Sequence, residues 1–115
     1  MIFTVDIFKA LAEESRLRIL ALLMQEEMCV CELENCLELT QSNASRHLTI
    51  LKNAGILTST KNAQWIYYKV SEEFVRANQD LFRYISEKIK QLPSYEADIE
   101  QLQKCKTMDL CNSKD

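Results

Sequence analysis

The sequence is poor in residues that turn or break a backbone, with one glycine and one proline among 115 residues. A β-sandwich or β-barrel needs many more turn residues, so this scarcity excludes those folds and favours helices with short connections. Long apolar runs are also missing, since the longest, residues 19–24, is far too short for a transmembrane helix. Because Asp6 and Lys9 interrupt the stretch where a signal peptide would be apolar, we expect a cytoplasmic protein without a membrane partner.

Histidine is nearly absent as well. His47 is the only one, and no nucleophile, base and acid are grouped around it, so we expect no catalytic triad and no enzymatic activity. The five cysteines are an odd number, which excludes a framework in which every cysteine forms an internal disulfide. In a chain without an export signal we expect reduced thiols, available as metal ligands or redox groups.

Acidic residues are absent from residues 40–70, although the whole chain carries a net charge of -3. This acid-free segment contains four bases, Arg46, Lys52, Lys61 and Lys69. A basic surface inside an acidic protein suits binding to a polyanion. The alternative is chance clustering on an ordinary solvated face.

Apolar residues repeat at helical spacing through the first half of the chain. The pattern predicts helices over 3–11 and 15–24, and a third that begins near Cys29. Thr40 is a good N-cap for a fourth helix, the reading helix. This helix should end just before Gly55, because a glycine tolerates the left-handed conformation of a helix C-cap.

The period changes to two over 56–60 and 65–70, which predicts the two strands of a hairpin. A long fifth helix is expected over 72–92, where Pro93 ends it, and a short sixth helix from about Tyr95 before a polar tail. A capped, basic helix followed by a hairpin is the arrangement of a winged helix-turn-helix, which presents one helix to a major groove and the hairpin to the flanking backbone. The predicted fold is therefore mainly α with a small β-hairpin.

The first turn and a half of the reading helix has the side chains of a DNA-reading element. Gln41 and Asn43 can pair with adenine edges and Arg46 with guanine or phosphate, while short serines let the helix sit deep in a groove. His47 suits either a backbone-phosphate contact or a structural hydrogen bond. The alternative for the whole segment is an N-cap with an ordinary polar face. Lys52, later in the same helix, and Lys61 and Gln64 in the hairpin are added to this set. The candidate DNA-binding residues are Gln41, Ser42, Asn43, Ser45, Arg46, His47, Lys52, Lys61 and Gln64.

A Cys-Val-Cys sequence, Cys29 to Cys31, opens the predicted third helix. The helix dipole lowers the pKa of a thiol at this end, and soft thiolates select As(III), Sb(III), Cd(II), Pb(II), Cu(I) or Zn(II). Residues two apart differ by about 200° around a helix axis, so these two cysteines can hold one ion only if the helix start distorts. Since the third helix is expected to pack against the reading helix, ligand binding would act as a switch.

Three further cysteines are candidates for a third ligand. Cys36 shares the face of Leu33, which favours a buried core cysteine over a ligand. Cys105 and Cys111 lie in a polar C-terminal segment that can reach the site, the alternative being incidental surface thiols.

Four motifs, in order along residues 7–74, resemble the ArsR family of metal- and metalloid-responsive repressors. Residues 8–20, FKALAEESRLRIL, resemble the opening pattern of the family, and residues 28–33, MCVCEL, resemble its metal box. Residues 41–57 carry the QSxxSRHLxxLxxxGIL pattern of its recognition element, and residues 65–68 match its second wing strand.

The resemblance implies a homodimer that presents one reading helix from each subunit to a palindromic operator in double-stranded DNA. It also implies that the apo dimer represses and that inducer binding releases the operator. It places the dimer contact on the first and fifth helices. The chain then divides into a winged helix-turn-helix DNA-binding and dimerisation domain, 1–92, and a C-terminal extension, 93–115. The expected dimer residues are Phe3, Ile7, Leu81, Ile85 and Ile89.

The sequence departs from the family pattern at the third thiol, where Glu34 stands. Cys36 or a tail cysteine from either subunit must then supply the third ligand, or two thiolates suffice. The predicted fifth helix has no histidine, so the family's Asp/His zinc site is absent, and the first six residues lack the cysteine of the cadmium/lead subtype. The wing turn reads Asn62-Ala63-Gln64 where Asp-Gly is usual, which costs turn quality but not the fold.

The leading hypothesis is a transcriptional repressor that senses As(III) or Sb(III) through Cys29 and Cys31. The alternatives are a thiol-redox or persulfide sensor, or a Cd/Pb sensor, of the same fold and, from another class, a metalloid-binding buffer. The acid-free segment counts against the buffer, which needs no surface for a polyanion.

Overall fold

The structure, a computed structural model, describes residues 4–108 and the side chains of residues 4–105. Seven helices and a three-stranded antiparallel sheet form this part of the chain. None of these helices has the length and apolar character needed to cross a membrane. In chain order the elements are α1 (Thr4–Leu11), α2 (Glu14–Leu23), β1 (Met28–Cys29), α3 (Val30–Leu37), α4 (Gln41–Asn53), β2 (Leu57–Asn62), β3 (Trp65–Val70), α5 (Glu72–Ala77), α6 (Gln79–Ile89) and α7 (Tyr95–Met108).

Two local signals set the limits of the reading helix, α4, and both predicted ends are confirmed. The Oγ1 of Thr40 accepts a hydrogen bond from the N–H of Asn43 at 3.2 Å. At the other end Gly55 has a φ of 79°. The N–H groups of Gly55 and Ile56 donate back to carbonyls of the last turn, which is the pattern of a Schellman cap. Because Ile56 is fully buried, the chain passes from this cap through the core into β2.

The predicted hairpin, which is the wing of the fold, is confirmed. Strands β2 and β3 pair antiparallel from Leu57 opposite Val70 to Asn62 opposite Trp65. The two-residue turn between them places Ala63 at a φ of 59°. A residue with a Cβ atom pays roughly 1–2 kcal/mol for this left-handed conformation.

The sequence pattern does not predict the short strand β1. Met28 and Cys29 pair with Tyr68 and Tyr67 of β3, which gives the sheet order β1-β3-β2. Two residues are too few to show a period of two, so periodicity cannot find such a strand. The pairing attaches the backbone of Cys29 to β3, the wing strand at the centre of the sheet.

The prediction of one helix over 72–92 is wrong. Helix α5 ends at Ala77, and Asn78 has φ -132° and ψ 49°, outside the helical region, before α6 begins. The Nδ2 of Asn78 donates to the carbonyl of Phe74 at 3.1 Å. An asparagine that satisfies a carbonyl of the last turn competes with the backbone and favours a helix end.

The assignment of Ile85 and Ile89 to a dimer surface is also wrong. They are 7% and 3% exposed and belong to the core of their own chain, in a helix that contacts α2. A side chain covered by its own subunit has no surface left to offer a second one. Phe3, which the same prediction names, lies outside the described residues. The large apolar side chains that are exposed in the described part are Val5, Phe8, Ile66 and Tyr84.

The last helix, α7, is longer than the short segment expected, with fourteen residues, and it contributes the buried Leu102 to the core. Arg18 of α2 donates two hydrogen bonds of 2.9 Å, from Nε and Nη2, to the carboxylate of Asp98. The Oγ of Ser94 donates a third, at 3.1 Å. Since α7 contacts both α2 and α3, it packs against the helix that follows Cys29.

Candidate nucleic-acid interface and thiol site

The reading helix divides its residues between the core and the solvent. Ala44, Leu48 and Leu51 are fully buried and anchor the helix, which contacts α1, α2 and α3. The polar residues predicted to read DNA lie largely on the other side of the helix. Of these, Ser45 is half-buried, and the exposed ones are Gln41, Ser42, Asn43, Arg46 and Lys52.

The wing adds polar and basic groups to this surface. Lys61, at the end of β2, and Gln64, in the turn, are both exposed. Neither α4, β2 nor β3 carries an acidic side chain, so no carboxylate on these elements repels a phosphate. The arrangement can place backbone N–H groups of the α4 N-terminus and two kinds of basic side chain against a DNA backbone.

His47 differs from its neighbours because it is buried, with 3% of its surface exposed. Its Nδ1 lies 3.2 Å from Nη1 of Arg16. Its Nε2 lies 3.4 Å from Oε2 of Glu13 and 3.4 Å from Nη2 of Arg46. Of the two roles that the sequence leaves open, a phosphate contact needs an exposed ring, whereas this ring is enclosed in a hydrogen-bonded cluster.

The electrostatics of this cluster favour an uncharged ring. Burial lowers the pKa of His47, and Arg46 and Arg16 lower it further, while Glu13 acts in the opposite direction. Burial by itself would raise the pKa of Glu13, but a 2.7 Å hydrogen bond from the N–H of Ser15 and the nearby positive charges lower it overall. An ionised Glu13 therefore lies beside two guanidinium groups and a neutral imidazole.

Arg16 belongs to this cluster, and sequence reasoning missed it. Its Nε donates to the carbonyl of Ala10 at 2.6 Å, and its Nη2 donates to the carbonyl of Lys9 at 3.3 Å, both at the end of α1. Only 11% of its side chain is exposed. The signal that could have found it is an arginine among the apolar residues of α2, because a buried guanidinium keeps its charge and must find acceptors.

Cys29 is the N-cap of α3 and is 1% exposed. Its N–H donates to Oε1 of Glu32 at 2.9 Å, one half of a capping box. Burial raises the pKa of the Cys29 thiol, and the negative charge of Glu32 adds to the rise, whereas the backbone N–H groups of Glu32 and Cys31 lower it less. The expectation of a lowered pKa at Cys29 is therefore wrong, because loss of hydration outweighs the effect of the helix start.

The described cysteines differ in whether they form a disulfide. Cys29, Cys36 and Cys105 are free thiols. Cys31 is disulfide-bonded, so the expectation of reduced thiols fails there. Cys111 lies outside the described residues.

The structure brings Cys36 of α3 and Cys105 of α7 together. Cys36 is 3% exposed, as its position on the Leu33 face predicts. Burial raises the pKa of its thiol, and a hydrogen bond with Cys105 raises it further. Cys105 is half-buried and accepts a hydrogen bond from Nε2 of Gln101 at 3.9 Å. Among residues 4–105, however, no three histidine, cysteine, aspartate or glutamate side chains are grouped so that they could hold a metal ion.

Comparison with known proteins decides the family. A model of the family described as "bacterial regulatory protein, arsR family" matches residues 7–59. The solved structure of HlyU from Vibrio cholerae matches 70% of this chain and 88% of that chain, with 40% sequence identity and a TM-score of 0.60. This chain belongs to the ArsR family.

Other ArsR-family matches agree with the fold. The arsenic resistance transcriptional regulator ArsR1 of Pseudomonas putida is 47% identical over 68 residues, which are 58% of this chain and 53% of that protein. The match thus spans about half the length of that relative. The homodimeric winged helix-turn-helix DNA-binding domain of Mb0332 from Mycobacterium bovis has a TM-score of 0.63 at 28% identity, covering 76% of this chain and 80% of that one. The fold of the present chain is a winged helix-turn-helix, mainly α with a small antiparallel sheet.

The match to the family model does not extend over the whole chain. It contains the reading helix and the segment from Cys29 to Cys36, but it ends within β2. Helix α7, with Asp98 and Cys105, lies outside it. The contact between Cys36 and Cys105 therefore joins the part of the chain that the family model matches to a part beyond that match.

Proposed function

We propose that this chain is a DNA-binding transcriptional repressor, active as a homodimer, that leaves its operator when As(III) or Sb(III) binds to cysteine thiolates. The observation that carries the proposal is the contact between the thiol segment, residues 28–37, and both DNA-contacting elements. Within this segment β1 pairs with the wing strand β3, and α3 packs against the reading helix α4. A change at the thiols is therefore passed directly to the surface that meets DNA.

Binding to operator DNA is supported by the exposed polar face of α4 and by the basic wing. We assign base contacts to Gln41, Asn43 and Arg46, and backbone contacts to Lys52 and Lys61. Ser42, Ser45 and Gln64 complete the interface. His47, which the sequence includes among the candidates, supports it from inside.

Homodimerisation is supported by the apolar side chains that α1 leaves exposed, Val5 and Phe8, at 60% and 54%. Two such residues, one turn apart on the same helix, need a cover that the described part of the chain does not supply. A two-fold dimer through α1 would present two reading helices to a palindromic site.

We propose Cys29 and Cys31 as the principal ligands, with Cys36, Cys105 or Cys111 as the third. Binding requires that the Cys31 disulfide be reduced and that the buried Cys29 thiol lose its proton. An ion can reach Cys29 only if the N-cap of α3 opens, which breaks its 2.9 Å bond to Glu32. This opening is the proposed source of the coupling, for which a reduction of operator affinity of about 5- to 150-fold is usual.

The test is fluorescence anisotropy of the reduced protein on a duplex from upstream of its own gene, titrated with arsenite while reductant is present. We expect tight, salt-sensitive binding that is lost at micromolar arsenite, on the order expected for thiolate ligands. Tight binding that neither arsenite nor antimonite weakens would refute As(III) and Sb(III) as inducers but would still support operator binding. In that case Cd(II) and Pb(II) are titrated in the same assay. The absence of duplex binding would refute the repressor and favour a metalloid buffer.

Cysteine variants test the ligand set. We expect Cys29→Ser and Cys31→Ser to keep operator binding and to lose induction by arsenite, because each removes a thiolate while leaving the reading helix intact. Because Cys29 is buried, Cys29→Ala serves as its companion and separates loss of a ligand from burial of an unpaired hydroxyl. A variant that stays fully inducible removes its cysteine from the site. Cys36→Ser and Cys105→Ser, compared in the same titration, identify the third ligand.

A thiol-redox repressor is the second candidate, favoured by the disulfide at Cys31 and by the adjoining thiols of Cys36 and Cys105. Two thiols would give two electrons and two protons to a peroxide, forming one disulfide and two waters. The same anisotropy assay separates the two candidates. A redox repressor responds to hydrogen peroxide and ignores arsenite under reductant, whereas an arsenite sensor does the opposite.

A further inference from the structure

The Arg16 side chain joins three elements of the fold. It extends from α2, donates to the carbonyls of Lys9 and Ala10 at the end of α1, and reaches the ring of His47 in the middle of α4. A guanidinium at the carboxyl end of a helix satisfies carbonyls that have no partner in the helix and interacts favourably with the helix dipole. One partly buried side chain thus holds α1 and the reading helix in a fixed relation.

Hydrogen-bond chemistry determines the state of the His47 ring. A guanidinium can only donate, so the Nδ1 of His47 must accept and carries no proton. The proton of the neutral ring is then on Nε2, which faces the carboxylate Oε2 of Glu13 at 3.4 Å. Arg46 cannot donate to a nitrogen that carries a proton, so its guanidinium lies beside the ring without bonding to it and stays exposed.

We propose that Arg16 is a positioning residue for operator binding: through neutral His47 it fixes the reading helix, and with it Arg46, against the end of α1. The inference rests on the proposed DNA-binding function and adds to it a residue that does not touch DNA. Since α1 carries Val5 and Phe8 of the proposed dimer surface, the same contact sets the reading helix relative to the second subunit.

The response of operator affinity to acidification distinguishes this proposal from a direct phosphate contact by His47. The charged groups facing His47 are Glu13 and Arg16 from the start of α2 and Arg46 from α4, and α1 contributes backbone carbonyls to the cluster. A second proton on the ring would occupy Nδ1, break the bond from Arg16 and add a positive charge beside two others. Operator affinity should therefore fall on acidification, whereas a His47 that contacted phosphate would bind more tightly once charged.

The experiment compares four full-length proteins by operator anisotropy: the wild type, Arg16→Lys, His47→Asn and Arg83→Lys. Lysine keeps the charge of Arg16 but cannot reach two carbonyls and a ring together, so we expect affinity to fall about tenfold. Arg83 is exposed on α6, and its lysine variant should bind like the wild type. Asparagine keeps an acceptor near the Nδ1 position but does not titrate. We therefore expect the operator affinity of His47→Asn to lose the decline that the wild type shows from about pH 7.5 to about pH 5.

Each result decides for or against the inference. Arg16→Lys that binds as tightly as Arg83→Lys overturns it, and so does His47→Asn that retains the wild-type pH profile, or wild-type affinity that rises in acid. Sedimentation should show Arg16→Lys with the oligomeric state of the wild type. If circular dichroism shows that Arg16→Lys does not fold, the pH profiles of the wild type and His47→Asn decide. A wild type that binds no duplex at any pH overturns the proposed function as well, whereas a binding wild type with an indifferent Arg16→Lys overturns this inference alone.

Discussion

Burial determines the charge of single side chains at both sites of this molecule. His47 on the reading helix and Cys29 at the N-cap of α3 are almost wholly enclosed. Burial is the largest cause of both pKa shifts, and in each case it favours the neutral form. The imidazole is uncharged and the thiol protonated at neutral pH. A soft ion that binds Cys29 must therefore displace a proton as well as open the helix start.

The lowered pKa of His47 predicts that the protein is less stable in acid. The unfolded chain takes up the proton near the ordinary pKa of 6.5, before the folded chain does. The free energy of unfolding is therefore undiminished above this value and decreases as the pH falls through it towards the lowered pKa. The measurement is urea unfolding at about pH 7.5 and about pH 5, for the wild type and His47→Asn.

The control for this prediction comes from the neighbouring carboxylate. The pKa of Glu13 is lowered from 4.5, so the stability that this group contributes is lost only as the pH falls below that value, outside the window used. We expect the wild type to lose more stability between the two conditions than His47→Asn does. Equal losses in the two proteins would contradict the assignment to His47.

At the scale of elements, the ion pair between Arg18 and Asp98 attaches α7 to α2. Asp98 is 8% exposed in its side chain and accepts three hydrogen bonds, whereas Arg18 is about a quarter exposed. Asp98→Asn leaves the guanidinium without its counter-charge, and since Arg18 is partly solvated we expect a loss of about 2 kcal/mol in the free energy of unfolding. Urea unfolding measures the loss, and hydrogen exchange should show faster exchange along α7.

Glu100→Gln is the matched control for Asp98→Asn. It removes the same kind of charge from the same helix, but its pair with Lys104 is largely exposed. We expect the control to cost about 0.5 kcal/mol or less. Similar effects of the two variants would show that the buried pair does not fasten α7.

A substitution in the turn of the wing should stabilise the protein. Ala63 has a φ of 59°, which glycine adopts without the clash of a Cβ atom. We expect Ala63→Gly to raise the free energy of unfolding by about 1 kcal/mol, since relief of the clash exceeds the entropy that glycine adds to the unfolded chain. Thermal and urea unfolding check this prediction. Because Gly55 already occupies the other left-handed position of this region, Gly55→Ala should destabilise the protein and so provides the reverse control.

At the scale of the whole molecule, the exposed face of α1 sets the expected assembly. Phe8→Glu places a charge in the proposed dimer surface, and we expect a shift from dimer to monomer in sedimentation, with a loss of operator affinity. Ile66→Glu is the matched control, because it makes the same change at an exposed apolar position of the wing. The control should remain dimeric. A dimeric Phe8→Glu would place the contact elsewhere.

The whole-molecule charge pattern explains how an acidic protein can approach DNA. The acid-free segment, residues 40–70, contains the whole of α4 and the whole wing, and its four bases lie on these elements. The surplus of negative charge belongs to the rest of the chain. The net charge of -3 therefore says little about the potential of the proposed DNA-binding face.

The sequence by itself determined the elements whose signals are local. Thr40 and Gly55 set the ends of the reading helix because each acts on backbone groups within the adjoining turn. The hairpin follows from a period of two on either side of a short turn. The motifs that resemble the ArsR family lie in this locally readable part, and the family is established by comparison.

The tertiary structure alone decided the features that depend on which groups lie nearby. It added β1, because Met28 and Cys29 become a strand only beside β3. It enclosed His47 with Arg16, thirty-one residues away in the chain. It raised the pKa of Cys29, since loss of hydration outweighs the local helix dipole. It also placed Cys36 beside Cys105, a distant partner in the sequence. Sequence patterns report periodicity and local capping, whereas burial and long-range pairing arise only when the chain packs.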